Sequence, residues 1–239
     1  MAACFVKDAD QQEDRHTANQ AAEVEPPKRD GNGSPEKQRQ DRENIEYQKQ
    51  KLWKERDAYY VKGKTITILG TGSIGKEIAK KAKVVGLKTL GYQMTQDPVE
   101  FFDEVFSGSG LEECLRRADY VVSVLPKTKD TTNILNYQSL SLMKPSTTLI
   151  NIGRGNAVNE IDLIRVVKEK KISKVVLDVF NEEPLPQDNP LWSTENIYIT
   201  PHMSAWIISD KIFEIFTENY KRFIEGKELL YRVDFRKGY

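Results

Sequence analysis

Between residues 64 and 200, short apolar runs alternate with longer segments in which apolar residues recur at helical spacing. The runs are rich in β-branched residues, and they predict strands at 65–69, 88–92, 120–125, 147–152, 174–180 and 197–200. Most of these runs are nearly continuous in apolar character and do not alternate with polar residues. This pattern is typical of strands that are buried on both faces of a sheet.

The intervening segments predict helices, because their apolar residues recur every three or four positions. Helices are expected at 74–85, 111–118, 136–143 and 160–171, and from about Ser204 to Glu225. Gly226 would end the last of them. Strands that alternate with helices form a parallel sheet covered on both faces. The pattern therefore predicts an α/β protein with a Rossmann-type doubly wound parallel sheet.

Residues 1–44 differ from the rest of the chain, because they are polar, mixed in charge and punctuated by proline and glycine. Such a segment cannot bury enough apolar surface to offset its ordering entropy, so we expect a disordered tail. Residues 45–60 predict a polar linking helix with Leu52 and Trp53 as apolar anchors. Residues 61–239 are then expected to form the α/β domain with its C-terminal helix.

The composition of the chain mainly excludes certain partners and types of site. The 36 lysines and arginines balance 36 aspartates and glutamates, so no basic field would attract nucleic acid or an anionic membrane. No apolar run approaches the roughly 20 residues that a membrane helix needs. Cys4 and Cys114 lie far apart and indicate neither a disulfide framework nor a metal site. We expect a reducing, cytoplasmic location without nucleic-acid or membrane partners.

A glycine-rich loop follows the first predicted strand and opens the first helix. Gly70, Gly72 and Gly75 have the G-x-G-x-x-G spacing in the strand–turn–helix context that binds a dinucleotide. They would permit, in turn, a tight bend, the approach of a pyrophosphate, and close packing of the helix on the strand. The helix N-terminus, with Ser73 and Ile74, would then hold the anion. A tight turn without a ligand is the alternative.

The choice between NAD and NADP turns on Gln93, which follows the second predicted strand. Dinucleotide-binding folds commonly place an acid about here to bind the ribose of NAD. Gln93 can hydrogen-bond a ribose, and it lacks the charge that would repel the extra phosphate of NADP. No lysine or arginine follows immediately to bind that phosphate, and Asp97 is the alternative acid. The sequence leaves the cofactor open between NAD and NADP.

Three polar residues follow successive predicted strands: Arg154, Glu183 and His202. Ligands of open α/β sheets bind outside the carboxyl ends of the strands, so these side chains can converge on the dinucleotide. Arginine can hold a carboxylate through two parallel hydrogen bonds, and histidine exchanges protons near neutral pH. Carbonyl reduction suits this set. A loop arginine, a solvated glutamate and a helix-capping histidine are the alternatives.

Five segments of the chain carry a resemblance to a known family, the D-isomer-specific 2-hydroxyacid dehydrogenases. They are GKTITILGTGSIGKEIA, VVSVLPKTKDTTNILN, LINIGRGNAVNEIDLI, VVLDVFNEEPLPQDNPLW and IYITPHMSAW. Together they cover roughly residues 60–239, and the final YRVDFRKGY is most similar to the glyoxylate/hydroxypyruvate reductase A branch. The resemblance implies a small 2-keto or 2-hydroxy acid as substrate, reduced by hydride transfer from the nicotinamide cofactor.

The resemblance also implies roles for single residues. Arg154 would bind the substrate carboxylate, His202 would be the general acid–base, and Glu183 would pair with it. The cofactor would be lined by Leu125, Pro126, Gly153 and Asp178, with Asp178 at the nicotinamide carboxamide. The family's common dimerisation through this domain implies a homodimer.

One expected part of that family is missing from the 239 residues. Its members have a second, substrate-binding domain formed largely by residues that precede the glycine loop, whereas here about 60 residues precede the first strand. Only the segment near residues 47–65 resembles the end of that domain. The alternatives to an enzyme are a truncated or non-catalytic NAD(P)-binding protein, and an interaction protein like the C-terminal-binding corepressors.

Overall fold

The computed structural model describes residues 47–53, 60–204 and 209–233. The expected tail at 1–44 lies outside these residues, as do residues 45–46 and 54–59 of the expected linking helix. The strands are β1 (Thr65–Leu69), β2 (Lys88–Tyr92), β3 (Glu104–Phe106), β4 (Tyr120–Ser123), β5 (Thr148–Asn151), β6 (Lys174–Leu177) and β7 (Ile197–Ile199). The helices are α1 (Ser73–Val84), α2 (Gly110–Arg117), α3 (Tyr137–Leu140), α4 (Glu160–Lys168) and α5 (Ser209–Ile224).

The seven strands form one parallel sheet in the order β3-β2-β1-β4-β5-β6-β7. The chain runs outward from β1 to β3 and then returns to β4 on the other side of β1. This reversal makes the β1–β4 boundary the switch point of the sheet, where open α/β proteins bind ligands. The predicted Rossmann-type doubly wound fold is confirmed.

Two apolar clusters cover the two faces of the sheet. Val121 and Leu149 belong to the larger cluster, beneath α2, α3 and α4, while their neighbours Val122 and Ile150 belong to the smaller one beneath α1. Successive strand residues point to opposite faces of the sheet, so adjacent apolar residues pack into both core clusters. This explains why the strands are continuous apolar runs.

The paired strands stop earlier than the apolar runs predict. β4 ends at Ser123 and β6 ends at Leu177, whereas the runs extend to residues 125 and 180. The residues beyond the pairing leave the sheet as buried loops, since Leu125, Asp178 and Phe180 remain inaccessible to solvent. These loops form the rim on which the candidate site is built.

Helix α5 differs from the helices that pack on the sheet. Its apolar residues are exposed to solvent, among them Phe213, Phe216, Tyr220 and Phe223. It ends before Gly226, whose φ of +66° and the bond from Lys227 N–H to the Arg222 carbonyl close the last turn. In the part of the chain that the structure describes, no helix combines the length and apolar character needed to cross a membrane.

Candidate active site

The loops that follow β4, β5 and β6 lie backbone against backbone at the carboxyl edge of the sheet. A Cβ on Gly153 would stand 2.7 Å from the Leu125 nitrogen, and one on Gly155 would stand 2.0 Å from the Phe180 carbonyl. Neither position accepts a side chain without a shift of the backbone. Arg154 lies between these two glycines, so its position is fixed from both sides.

The glycine loop after β1 has the geometry that its spacing predicts. Gly70 has a φ of +100° and lies against Val124, and a Cβ on Gly75 would stand 2.0 Å from the Gly70 carbonyl oxygen. The first glycine therefore permits the turn, and the third permits α1 to press on the strand end. The loop sits at the switch point between β1 and β4.

The N-terminus of α1 is suited to an anion. Gly72 caps the helix without a side chain, and no acidic residue lies in the first turn. Helix α4 differs, because Asn159 caps it and Glu160 and Asp162 occupy its first turn. A Cβ on Gly72 would have nothing within 4 Å, so the space in front of the helix is open. Open space, free N–H groups and the positive helix end fit the diphosphate of a dinucleotide.

Gln93 lies beside the glycine loop, as its position after β2 predicts. Its side-chain oxygen accepts a hydrogen bond from the hydroxyl of Thr71, and its amide donates to the Asp97 carbonyl oxygen at 3.1 Å. The amide is thus held between the loop and the segment that follows β2. The loop hydroxyl of Thr71 is a contact that the glycine spacing does not reveal.

Two of the predicted catalytic residues are in direct contact. The Nδ1 atom of His202 lies 2.7 Å from Oε2 of Glu183. An ionised carboxylate only accepts hydrogen bonds, so Nδ1 carries the proton that it donates to Glu183. The other ring nitrogen, Nε2, remains to act on a ligand. About half of the His202 side chain is exposed, so it can reach one.

The second oxygen of Glu183 accepts the Phe180 N–H at 2.8 Å. Partial burial raises the pKa of Glu183, but the hydrogen bonds from His202 and Phe180 outweigh it, and the net pKa lies below its ordinary value. Glu183 is therefore ionised at neutral pH and can orient the imidazole. Neighbouring Glu182 makes no such contact with the described residues.

Arg154 is held at the same rim. Its Nη1 donates to the Gly153 carbonyl oxygen at 2.7 Å, and its side chain is exposed. It forms no salt bridge with any residue in the described ranges, so its remaining donors are available to an anionic ligand. Contacts join the Arg154 loop to Phe180, Phe180 to Glu183, and Glu183 to His202.

The other predicted cofactor residues differ in how far they are exposed to solvent. Ser73 and Ile74 are exposed at the start of α1, and Pro126 is half-buried beside the β4 loop. Leu125 is buried in the core, so only its backbone faces the rim. Asp178 is 1% exposed, and its carboxylate is bonded to the turn that carries His202. Thr200, which also bonds this carboxylate, was not predicted, since a hydroxyl after a strand has no distinctive pattern.

Comparison with known families gives a match over residues 37–204, to the D-isomer specific 2-hydroxyacid dehydrogenase, NAD binding domain. Among curated proteins, the chain is 32% identical over 192 residues to glyoxylate/hydroxypyruvate reductase A of Photorhabdus laumondii, covering 80% of this chain and 61% of that protein. Glyoxylate reductase of Thermococcus gammatolerans is 39% identical over 145 residues, which cover 61% of this chain and 43% of that protein. The chain thus spans about half the length of the curated relatives it matches.

Solved structures give the same result. A D-isomer specific 2-hydroxyacid dehydrogenase family protein from Aeromonas salmonicida superposes with a TM-score of 0.76 at 44% identity, covering 82% of this chain and 64% of that one. The NADPH-dependent glyoxylate/hydroxypyruvate reductase of Sinorhizobium meliloti, in complex with NADP and sulfate, superposes with a TM-score of 0.75 at 29% identity. The match covers 84% of this chain and 65% of that one. The family match over residues 37–204 contains both the glycine loop and the loops that hold Arg154, Glu183 and His202.

Proposed function

Because this chain belongs to the D-isomer specific 2-hydroxyacid dehydrogenase family, we propose that it is an NAD(P)-dependent oxidoreductase that reduces a small 2-keto acid. The expected substrates are glyoxylate or hydroxypyruvate, and the product is the 2-hydroxy acid. The observation that carries the proposal is the 2.7 Å contact between His202 and Glu183 at the rim that also holds the glycine loop. An oriented imidazole beside a dinucleotide site suits proton transfer to a carbonyl oxygen.

The glycine loop would hold the cofactor. Gly72 leaves open space in front of α1, and the uncapped N–H groups of the first turn would bind the diphosphate. Gln93, with Leu125, Pro126 and Gly153, would line the rest of the dinucleotide. The reduced nicotinamide, when bound, supplies the hydride that adds to the carbonyl carbon.

Arg154 would bind the carboxylate of the keto acid. Its guanidinium is exposed and forms no salt bridge within the described residues. Its backbone is fixed because the glycines on either side pack closely against neighbouring backbone. A bidentate guanidinium–carboxylate contact sets the orientation of a small acid as well as its affinity. Its positive charge would also stabilise negative charge that develops on the carbonyl oxygen.

His202 would deliver the proton to that oxygen. Because Nδ1 donates to Glu183, only Nε2 can donate to the substrate, and the ring must be an imidazolium when it does so. The ionised Glu183 accepts the Nδ1 proton and fixes the plane of the ring. In the reverse reaction, neutral Nε2 would accept the proton from the hydroxyl of the 2-hydroxy acid.

Fluorescence titration of the purified chain with NADH and NADPH, followed by addition of glyoxylate or hydroxypyruvate, tests the proposal. We expect binding of at least one cofactor, and its oxidation after the keto acid is added. His202→Gln should retain cofactor binding and lose turnover by roughly 10²-fold or more. His16→Gln, which changes the only other histidine, is the matched control. Equal turnover in both variants would contradict the proposed role of His202.

A second candidate function is an NAD(P)-binding protein that does not turn over. It is favoured by two observations: the chain spans about half the length of its curated relatives, and α5 presents exposed aromatic residues. Such a protein could act through partners, including a second copy of the chain. The same titration separates the two functions, because cofactor binding without oxidation after either keto acid supports the second.

A further inference from the structure

The end of β2 is fixed to the glycine loop by three contacts. The Gly70 N–H donates to the Tyr92 carbonyl oxygen at 2.9 Å. The hydroxyl of Thr71 donates to the side-chain oxygen of Gln93. The methyl group of Thr71 lies over Gly91, where a Cβ would stand 2.7 Å from it. The residues that follow β2 are therefore held beside the loop that is proposed to bind the dinucleotide.

Gln93 also holds Asp97 in place. The Gln93 amide donates to the Asp97 carbonyl oxygen at 3.1 Å, and the Thr95 hydroxyl donates to Oδ2 of Asp97 at 2.7 Å. The other carboxylate oxygen, Oδ1, has no hydrogen-bond partner among the described residues, and Asp97 is exposed. The bend at 93–97 thus presents a carboxylate oxygen to solvent, next to the glycine loop.

No cation within the described part of the chain neutralises this carboxylate. The sequence has no lysine or arginine from residue 89 to residue 115. Asp103 pairs with Lys83 at 2.5 Å, whereas Asp97 forms no ion pair with any described residue. An exposed carboxylate is charged at neutral pH. An unneutralised negative charge therefore lies beyond the end of β2.

This charge lies where dinucleotide-binding folds distinguish the two cofactors. Residues after the second strand contact the adenosine ribose, which carries a 2′-hydroxyl in NAD and a 2′-phosphate in NADP. A carboxylate accepts a hydrogen bond from the hydroxyl, but it repels a phosphate of about two negative charges. Gln93 occupies the usual position of the acid and is neutral, so discrimination by charge depends on Asp97.

We infer that Asp97 makes this chain select NADH over NADPH. Its free carboxylate oxygen binds the adenosine ribose of NADH and repels the 2′-phosphate of NADPH. The inference rests on the proposed function in taking the glycine loop as the dinucleotide site. It separates this chain from the Sinorhizobium meliloti reductase, which is NADPH-dependent.

The test is a fluorescence titration at low ionic strength, in a zwitterionic buffer, that gives the dissociation constants of NADH and NADPH. The proteins are the parent chain, Asp97→Asn and Asp188→Asn. Asp97→Asn keeps the size of the side chain and removes its charge. Asp188→Asn is the matched control, because Asp188 is also exposed but lies between β6 and β7, at the far side of the sheet from β2.

We expect the parent to bind NADH about tenfold or more tightly than NADPH. Asp97→Asn should reduce this ratio by roughly fivefold or more, mainly because NADPH binds better once the like charge is gone. Asp188→Asn should change the ratio by less than about twofold. Raising NaCl from about 0.05 M to about 0.5 M should narrow the ratio in the parent and change it little in Asp97→Asn, because salt screens exposed charges.

A parent that binds NADPH as tightly as NADH would overturn the inference, as would an unchanged ratio in Asp97→Asn. The proposed reductase would survive either result, because NADPH also supplies a hydride. Selective binding of NADH without reduction of either keto acid would instead contradict the proposed reductase and support the role of Asp97. If the parent bound neither cofactor, both proposals would be wrong.

Discussion

At the scale of single residues, the contact between Glu183 and His202 decides which ring nitrogen can act. A carboxylate on Nδ1 leaves Nε2 for the proposed proton transfer, and the Phe180 N–H on the other carboxylate oxygen keeps Glu183 in place. The pair therefore depends on a backbone donor as well as on its two side chains. The same rim carries Arg154, whose charge is left for a ligand.

The pKa of Glu183 responds to this pairing, since burial raises it and the hydrogen bond from His202 lowers it. His202→Gln removes the charged donor whose hydrogen bond lowers the pKa, so we expect the Glu183 pKa to rise toward its ordinary value. Carboxyl ¹³C NMR measures it, and the signal is identified by its loss in Glu183→Gln. Glu182→Gln should leave that signal unchanged. An unaltered Glu183 pKa in His202→Gln would contradict the pairing.

The same shift gives the stability a pH dependence with a definite sign. The folded-state pKa of Glu183 lies below that of the unfolded chain, so the pair stabilises the fold above the unfolded value, near 4.5. This contribution is lost as the pH falls through the folded-state pKa. His202→Gln should therefore lower the free energy of unfolding at neutral pH more than at strongly acidic pH.

Cofactor preference is also a matter of single residues. The segment after β2 supplies Gln93 and the Asp97 carboxylate but no lysine or arginine, and Met94 is exposed between them. Met94→Arg would add a cation for the 2′-phosphate of NADP. We expect NADPH affinity to rise about tenfold and NADH affinity to change little, measured by fluorescence titration. Met94→Leu is the control, and an equal gain for both cofactors would contradict this placement.

At the scale of elements, the first strand and helix are joined by glycines with separable tasks. Gly75 belongs to the fold, because a Cβ there would meet the Gly70 carbonyl oxygen at 2.0 Å. Gly72 is free of such a constraint and is the position proposed for the ligand site, because a Cβ there would meet nothing within 4 Å and its φ of −68° suits any residue. The two positions lie three residues apart and differ in what they constrain.

Alanine substitution should separate the two tasks. Gly72→Ala should lower the free energy of unfolding by no more than about 1 kcal/mol, because it changes only a helix cap. It should weaken NADH binding by roughly tenfold or more, because the methyl group occupies the approach to the helix N–H groups. Gly75→Ala should destabilise the fold by several times as much. Urea unfolding and fluorescence titration measure both, and equal destabilisation by the two substitutions would contradict this division.

The sequence predicted the strands whose apolar residues face both sides of the sheet, and the glycine loop whose residue spacing is known from dinucleotide-binding folds. Strand β3 was missed because it has three residues at the edge of the sheet, with Glu104 exposed and bonded to Arg117. The rim residues Arg154, Glu183 and His202 follow from their places after strands. The support from Asp178 does not, because bonds from backbone N–H groups to a carboxylate leave no pattern along the chain.

At the scale of the whole molecule, the described domain has a complete sheet and two closed core layers, yet α5 leaves its aromatic residues in solvent. The rim of the sheet is likewise open, since His202 and Arg154 are exposed. Closure of a cleft excludes water and completes the catalytic groups. We therefore expect the 239-residue chain on its own to turn over keto acids more slowly than a full-length relative.

Cofactor binding should nevertheless stabilise the domain, since the glycine loop proposed to bind the cofactor belongs to the native fold. At a free NADH concentration of 100 times its dissociation constant, the free energy of unfolding should rise by about 2.7 kcal/mol. Urea unfolding with and without NADH measures this increase. At the same NADH concentration, Gly72→Ala should show a smaller increase, and equal increases in the two proteins would place the cofactor elsewhere.

The uncapped start of α1 has a practical consequence for anyone who handles this protein. A helix end without a side-chain cap or an acidic first turn attracts any small oxyanion, and phosphate or sulfate from a buffer would occupy it. Such anions would compete with the cofactor, so the apparent dissociation constant of NADH should increase linearly with the phosphate concentration. Assays in a bulky zwitterionic buffer would therefore detect weak binding that phosphate-buffered assays conceal.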